Sequence, residues 1–164
     1  SEMCIRADSI PVKKQGDVRV EKQINPLYIK GVRAVQKKIQ QIIGQKGISI
    51  ETNPSSNCRI GTFRDYKKHP IIEFYNRELE HDYKKLEECS QLCVSINTDD
   101  KGVFSTSLEN EYSLMARALE EMKKEDGSPK YSREEINSWL DAIRRMGNMQ
   151  SFHSEYQKKK NDLK

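Results

Sequence analysis

The sequence is short of apolar residues. Only 35% of its 164 residues are hydrophobic, and even with the eight glycines added the share stays below the roughly 45–50% of an ordinary globular chain. No run approaches the roughly 18 apolar residues of a membrane span, and the N-terminus lacks the apolar stretch of a signal peptide. A soluble, cytoplasmic protein with no membrane contact is the expectation. The five prolines are scattered, which excludes collagen and proline-rich disorder. The four cysteines, Cys4, Cys58, Cys89 and Cys93, form no Cys-x-x-Cys and have no histidine at zinc-knuckle spacing. They read as reduced structural thiols rather than a metal or disulfide framework.

Charge is abundant, at 33% of residues against about 25% as usual, and it is unevenly placed. Residues 1–47 carry ten Lys/Arg and four acids, residues 48–143 thirteen and nineteen, and residues 144–164 six and two. Both ends are basic and the middle is acidic. A nucleic-acid binder concentrates Lys/Arg on one face with aromatics between them. The aromatics here do not interleave in that way, so RNA is a partner to be tested by salt dependence but not the favoured one.

Residues 1–26 form a polar N-terminal segment or linker, in which Ile10, Val12, Val18 and Val20 alternate around Gln15-Gly16-Asp17 as in a hairpin. Val32, Val35, Ile39, Ile42 and Ile43 then recur at helical spacing, with Gly44 as the stop. Residues 48–52 predict a strand closed by the turn Asn53-Pro54-Ser55-Ser56-Asn57. His69-Pro70 opens a helix, continued through Leu79, Tyr83 and Leu86, and residues 93–98 predict a second strand running into Asp99-Asp100. Thr106-x-x-Glu109 reads as a capping box before Leu108, Tyr112, Met115, Leu119 and Met122. After a loop at 123–130, Ser132-x-x-Glu135 repeats that signature before Ile136, Leu140 and Ile143. Trp139 falls near that stripe and is expected to pack. The tail at 153–164 predicts a basic helical end. Helix, strand, helix, strand, helices is the order of a parallel α/β protein, and two strands alone do not make a stable parallel sheet.

The chemistry concentrates at Asn97-Thr98-Asp99-Asp100. In α/β barrels the C-terminal ends of strands form the active-site face. Adjacent carboxylates there repel, and a divalent metal balances them; the bland alternative is that one of them caps the next turn. Cys58 has Arg59 beside it but no histidine partner in the sequence, so a nucleophile is not favoured.

The series Ile50-Glu51-Thr52-Asn53-Pro54-Ser55-Ser56-Asn57, Ile60-Gly61, His69-Pro70, residues 95–104, Thr106-Ser107-Leu108 and Glu111-Tyr112 resembles the C-terminal part of the adenosine and AMP deaminase family. The match in order and spacing covers residues 48–152, about two-thirds of the chain, and places the family-like region at 27–152. The resemblance implies the C-terminal portion of a (β/α)8 TIM-type barrel with extra helices and one Zn2+ at its mouth. It makes Asp99 the zinc-ligating aspartate that also contacts the attacking hydroxide, and Asp100 the acceptor of a hydrogen bond from the purine ring. The implied reaction is hydrolytic deamination of adenosine or an adenine nucleotide to the inosine form plus ammonia, by a hydrolase of C–N bonds in cyclic amidines that serves purine nucleoside metabolism.

The family also needs a His-x-His pair, a further zinc histidine, a His-Ala-Gly-Glu segment and a histidine that orients the hydroxide. The three histidines of this chain, His69, His81 and His153, stand in none of those motifs. The implied zinc set is therefore completed by histidines outside this chain, its partner is the remainder of the parent barrel, and the fragment alone is inactive. Lys101 stands where the family has proline, Met146 where it has asparagine, and the stretch around Glu87-Glu88 is extra and offers a surface for assembly, including a homo-oligomer. The competing expectation is a non-catalytic α/β interaction or assembly module derived from a deaminase barrel.

Overall fold

The computed structural model describes residues 24–61 and 63–151; the hairpin expected at 10–20 and the basic tail at 153–164 lie outside them, as do Cys4 and His153. The chain divides into two units, Ser1–Val35 and Gln36–Lys164. In order, the described elements are α1 (Pro26–Gln45), β1 (Ile50–Thr52), α2 (Pro54–Ile60), a 3-10 turn (Tyr66–Lys68), α3 (Ile71–Phe74), α4 (Tyr83–Glu88), β2 (Val94–Ile96), α5 (Lys101–Phe104), α6 (Leu108–Glu120) and α7 (Arg133–Gln150). The structure is mixed and mostly helical. β1 and β2 pair in parallel, with Ile50 opposite Val94, Glu51 opposite Ser95 and Thr52 opposite Ile96.

Several boundaries differ from the sequence pattern. α1 forms, but it runs past Gly44 to Gln45, and none of its residues is buried. Its stop is Gly47, which adopts a φ of 63°. The amide of Gly47 donates to Gly44 O and that of Ile48 to Ile43 O, the paired bonds of a glycine-terminated helix end that need a left-handed residue between them. The stretch expected as a turn after β1 is instead helical: Pro54 takes the first helical position, where its missing N–H costs nothing, and Ser55 to Ile60 continue. The helix foreseen from His69 onward is broken into α3 and α4, with Leu79 buried in the turn between them.

The cap of α6 also moves by one residue. Ser107 rather than Thr106 is the N-cap, its hydroxyl accepting from Asn110 N, and the buried face holds Glu111, Met115, Ala118 and Leu119, leaving Leu108 exposed. For α7 the capping box at Ser132 and Glu135 is present in both directions. The core gathers Val94 and Ile96 of β2, Met115 and Leu119 of α6, Ile136, Trp139 and Ile143 of α7, and Ile71, Leu79 and Leu92 from the segments between. Trp139 is fully buried, and its indole N–H donates to Tyr75 O at 2.9 Å. α6 and α7 thus pack on β2 and fix where the strand ends.

Candidate functional site

Parallel pairing brings the C-terminal ends of β1 and β2 to the same side, so the segments after Thr52 and Ile96 start as neighbours. Two bonds lock that start. Asn97 N donates to Thr52 O at 2.8 Å, and the buried Thr52 hydroxyl donates to Ser95 O at 2.8 Å. From there Asn53-Pro54 turns into α2, and the Asn57 carboxamide oxygen accepts from Asn53 N at 3.0 Å. Across the gap, Ser56 Oγ donates to Asp99 Oδ2 at 2.7 Å. Asp99 has a φ of 56°, a left-handed conformation that Asp tolerates better than most residues and that recurs where function fixes a side chain.

Asp99 and Asp100 are both exposed and have different partners. Asp100 Oδ1 accepts from Gly102 N at 3.0 Å and Val103 N at 3.1 Å, so Asp100 caps α5, as the capping alternative expects. Among the described residues its Oδ2 is left for another donor. Asp99 meets no metal-ligand cluster: among the described residues no three His, Cys, Asp or Glu side chains are grouped to hold an ion. Asp99 Oδ2 accepts from Ser56, and a carboxylate oxygen is among the ligand types that zinc takes.

Beneath these loops lies the most buried carboxylate among the described residues. Glu111, with no exposed surface, accepts from Ser55 N through Oε2 at 2.8 Å and from Thr106 Oγ1 through Oε1 at 2.6 Å. Asn110 Nδ2 donates in turn to Thr106 Oγ1 at 2.9 Å. His69 is also buried. Its Nδ1 accepts from Ile71 N at 3.2 Å, which puts the ring proton on Nε2, 3.1 Å from Asn57 Oδ1. Burial lowers the His69 pKa to about 4, against the pull of the nearby Glu111 charge, so the ring is neutral near pH 7. Phe63 meets its ring edge-on at 5.3 Å between centroids. A cleft of about 340 Å3 opens here, lined by Thr52, Ser56, Asn57, Phe63 and His69 among others.

The sequence points to Asp99 and Asp100, and the structure sets Ser56 against the first and gives the second a cap. It does not point to Ser56, to the His69–Asn57 pair or to the role of Glu111. One signal is present for Glu111: an acid at 111 shares a helical face with Met115, Ala118 and Leu119. Cys58 lies inside α2 and is buried, and the Arg59 guanidinium sits 5.8 Å from the Phe104 ring centroid. Met146 packs partly buried against the core. A larger hollow, about 650 Å3, is lined by Glu80, His81, Lys85, Lys124, Lys130 and Glu135 among others and shares no residue with the strand-end cleft. Within it His81 meets Glu135 and Lys85 pairs with Glu80, while the Lys130 ammonium sits 5.1 Å from the Tyr131 ring centroid.

Residues 29–126 match the family described as adenosine deaminase. Among curated relatives, an adenine deaminase of Sinorhizobium medicae is 29% identical over 54% of this chain and 24% of its own length. An adenine deaminase of Rhizobium leguminosarum bv. trifolii is 34% identical over the same shares. An aminodeoxyfutalosine deaminase of Acidothermus cellulolyticus is 30% identical over 57% of this chain and 23% of its own length. The chain spans about a quarter of the length of the curated relatives it matches, and no solved structure matches it. With the family match covering more than half of its residues and the two strand-end loops carrying the motif series, the chain belongs to the adenosine deaminase family.

Proposed function

We propose that this chain is the C-terminal portion of a zinc-dependent adenosine deaminase-like hydrolase built on a (β/α)8 barrel, and that it is inactive without the portion that supplies the histidines and the general acid/base. The reaction replaces an exocyclic amine of a purine by oxygen: water's oxygen bonds to the ring carbon, the C–N bond breaks, and the nitrogen leaves as ammonia. Adenosine and adenine nucleotides are the expected substrates, and the adenine deaminase relatives add the free base to that set. Zinc, when bound, lowers the pKa of water toward neutrality and supplies the nucleophile.

The chain's own contribution is positional. Asp99 offers one carboxylate oxygen to the metal while Ser56 holds the other. Asp100, its Oδ1 committed to the cap of α5, offers Oδ2 to a purine ring N–H. The observation that supports this reading is the bond between Ser56 and Asp99, which ties together the C-terminal ends of two parallel strands, the side on which α/β barrels carry their active sites.

The test joins this chain to the rest of the family's length and follows amino-to-oxo conversion of adenine, adenosine, its phosphates and short RNA by mass spectrometry, with zinc. Conversion by the intact polypeptide, reduced on the order of 100-fold or more in Asp99→Ala, is the expected result. No conversion of any of these by a polypeptide that also fails to retain zinc would turn the assignment toward a non-catalytic assembly module.

A further inference from the structure

Glu111 is the one fully buried carboxylate among the described residues, and its two oxygens reach different loops. Oε2 receives the amide of Ser55, in the segment that follows β1. Oε1 receives the hydroxyl of Thr106, in the segment that follows the Asp99-Asp100 loop and α5. Ser55 and Thr106 are themselves buried. A buried carboxylate is costly unless its lone pairs are filled, so the loops and the acid specify one another: Glu111 is satisfied only when both loops stand at one separation. Ser56, the residue after Ser55, is the one that donates to Asp99 Oδ2.

We propose that Glu111 is a positioning residue of the deaminase site, setting the strand-end loops at the distance at which Ser56 engages Asp99. The proposal rests on the function proposed above for what Asp99 does, but the loop coupling itself is a property of this chain. Glu111→Gln leaves one acceptor oxygen for two donors and sets an NH2 against the other. Thr106→Val removes one donor at nearly constant volume, and Thr106→Ser keeps it.

In the 164-residue chain, amide hydrogen exchange followed by NMR reads the effect. Glu111→Gln and Thr106→Val are expected to speed exchange at Asn57, Gly102 and Val103 about tenfold more than in α7, while Thr106→Ser restores the wild-type pattern. Trp139→Phe, which loosens the core without touching either loop, is expected to leave that ratio unchanged. Exchange that rises equally in the loops and in α7, or that does not change in Glu111→Gln, would overturn the proposal. In the polypeptide carrying the rest of the family's length, Glu111→Gln is expected to lower kcat about tenfold with KM within about twofold and with zinc still bound. A wild-type polypeptide without deaminase activity would sink the proposed function, while the exchange pattern would still decide the coupling.

Discussion

His69 and Glu111 show how much of the site resides in single side chains whose meaning depends on burial. A histidine at a helix start reads as structural from sequence, and the structure agrees, since both ring nitrogens are bonded, one to Ile71 N and one to Asn57 Oδ1. What the sequence could not show is that the ring is dry. Its folded pKa of about 4 lies below the ordinary 6.5, so the unfolded chain takes up the proton first as pH falls. The His69 contribution to stability is therefore complete above pH 6.5, declines between 6.5 and about 4, and amounts to about 3 kcal/mol lost across that window. Urea unfolding of wild type and His69→Gln at pH 7.5 and 4.5 checks this. The variant is expected to be less stable at pH 7.5 and to lose distinctly less on acidification; equal losses would mean the ring is hydrated. Asp99 and Asp100 stand out in the sequence because two adjacent carboxylates follow a strand inside the motif series, whereas Ser56 and Glu111 act through contacts 43 and 56 residues away in sequence.

At the scale of elements, the periodic segments were legible and the punctuated ones less so. α6 and α7 have apolar residues at helical spacing, and the Ser132 capping box is present in both of its hydrogen bonds. α2 is hidden in the sequence because Ser-Ser-Asn favours turns on its own; here Pro54 presets the first turn, and Glu111 binds the Ser55 amide from outside the segment. The stop of α1 is ambiguous for a related reason. Two glycines, Gly44 and Gly47, stand near its end, and composition does not say which one turns left-handed. The structure chooses Gly47, with φ at 63° and the bonds from Gly47 and Ile48 closing the helix. Gly47→Ala puts a Cβ on a left-handed residue, and the expected cost is about 1 kcal/mol, read as a lower urea midpoint with an unchanged m-value. No loss on that substitution would show that the helix end relaxes to another geometry.

For the whole molecule, the parallel pairing of β1 and β2 was legible from the helices between them, while the barrel came only from the family resemblance and the described residues show a two-stranded sheet. The same limit governs metal binding. Asp99 Oδ2 is bonded to Ser56, and the described residues contain no group of three ligands. A lone carboxylate binds divalent ions no tighter than the roughly millimolar of weak multi-oxygen sites. At roughly a tenth of that concentration, the mass-action gain is on the order of 0.1 kcal/mol, which shifts a melting temperature by about a degree or less. Thermal unfolding of the 164-residue chain with and without zinc is therefore expected to give coincident curves, and Asp99→Ala to respond as the wild type does. A shift of several degrees that disappears in Asp99→Ala would mean that this chain holds the remaining ligands itself. That result would move the zinc histidines from outside the chain to within it, and the proposed dependence on a separate portion of the barrel would fall.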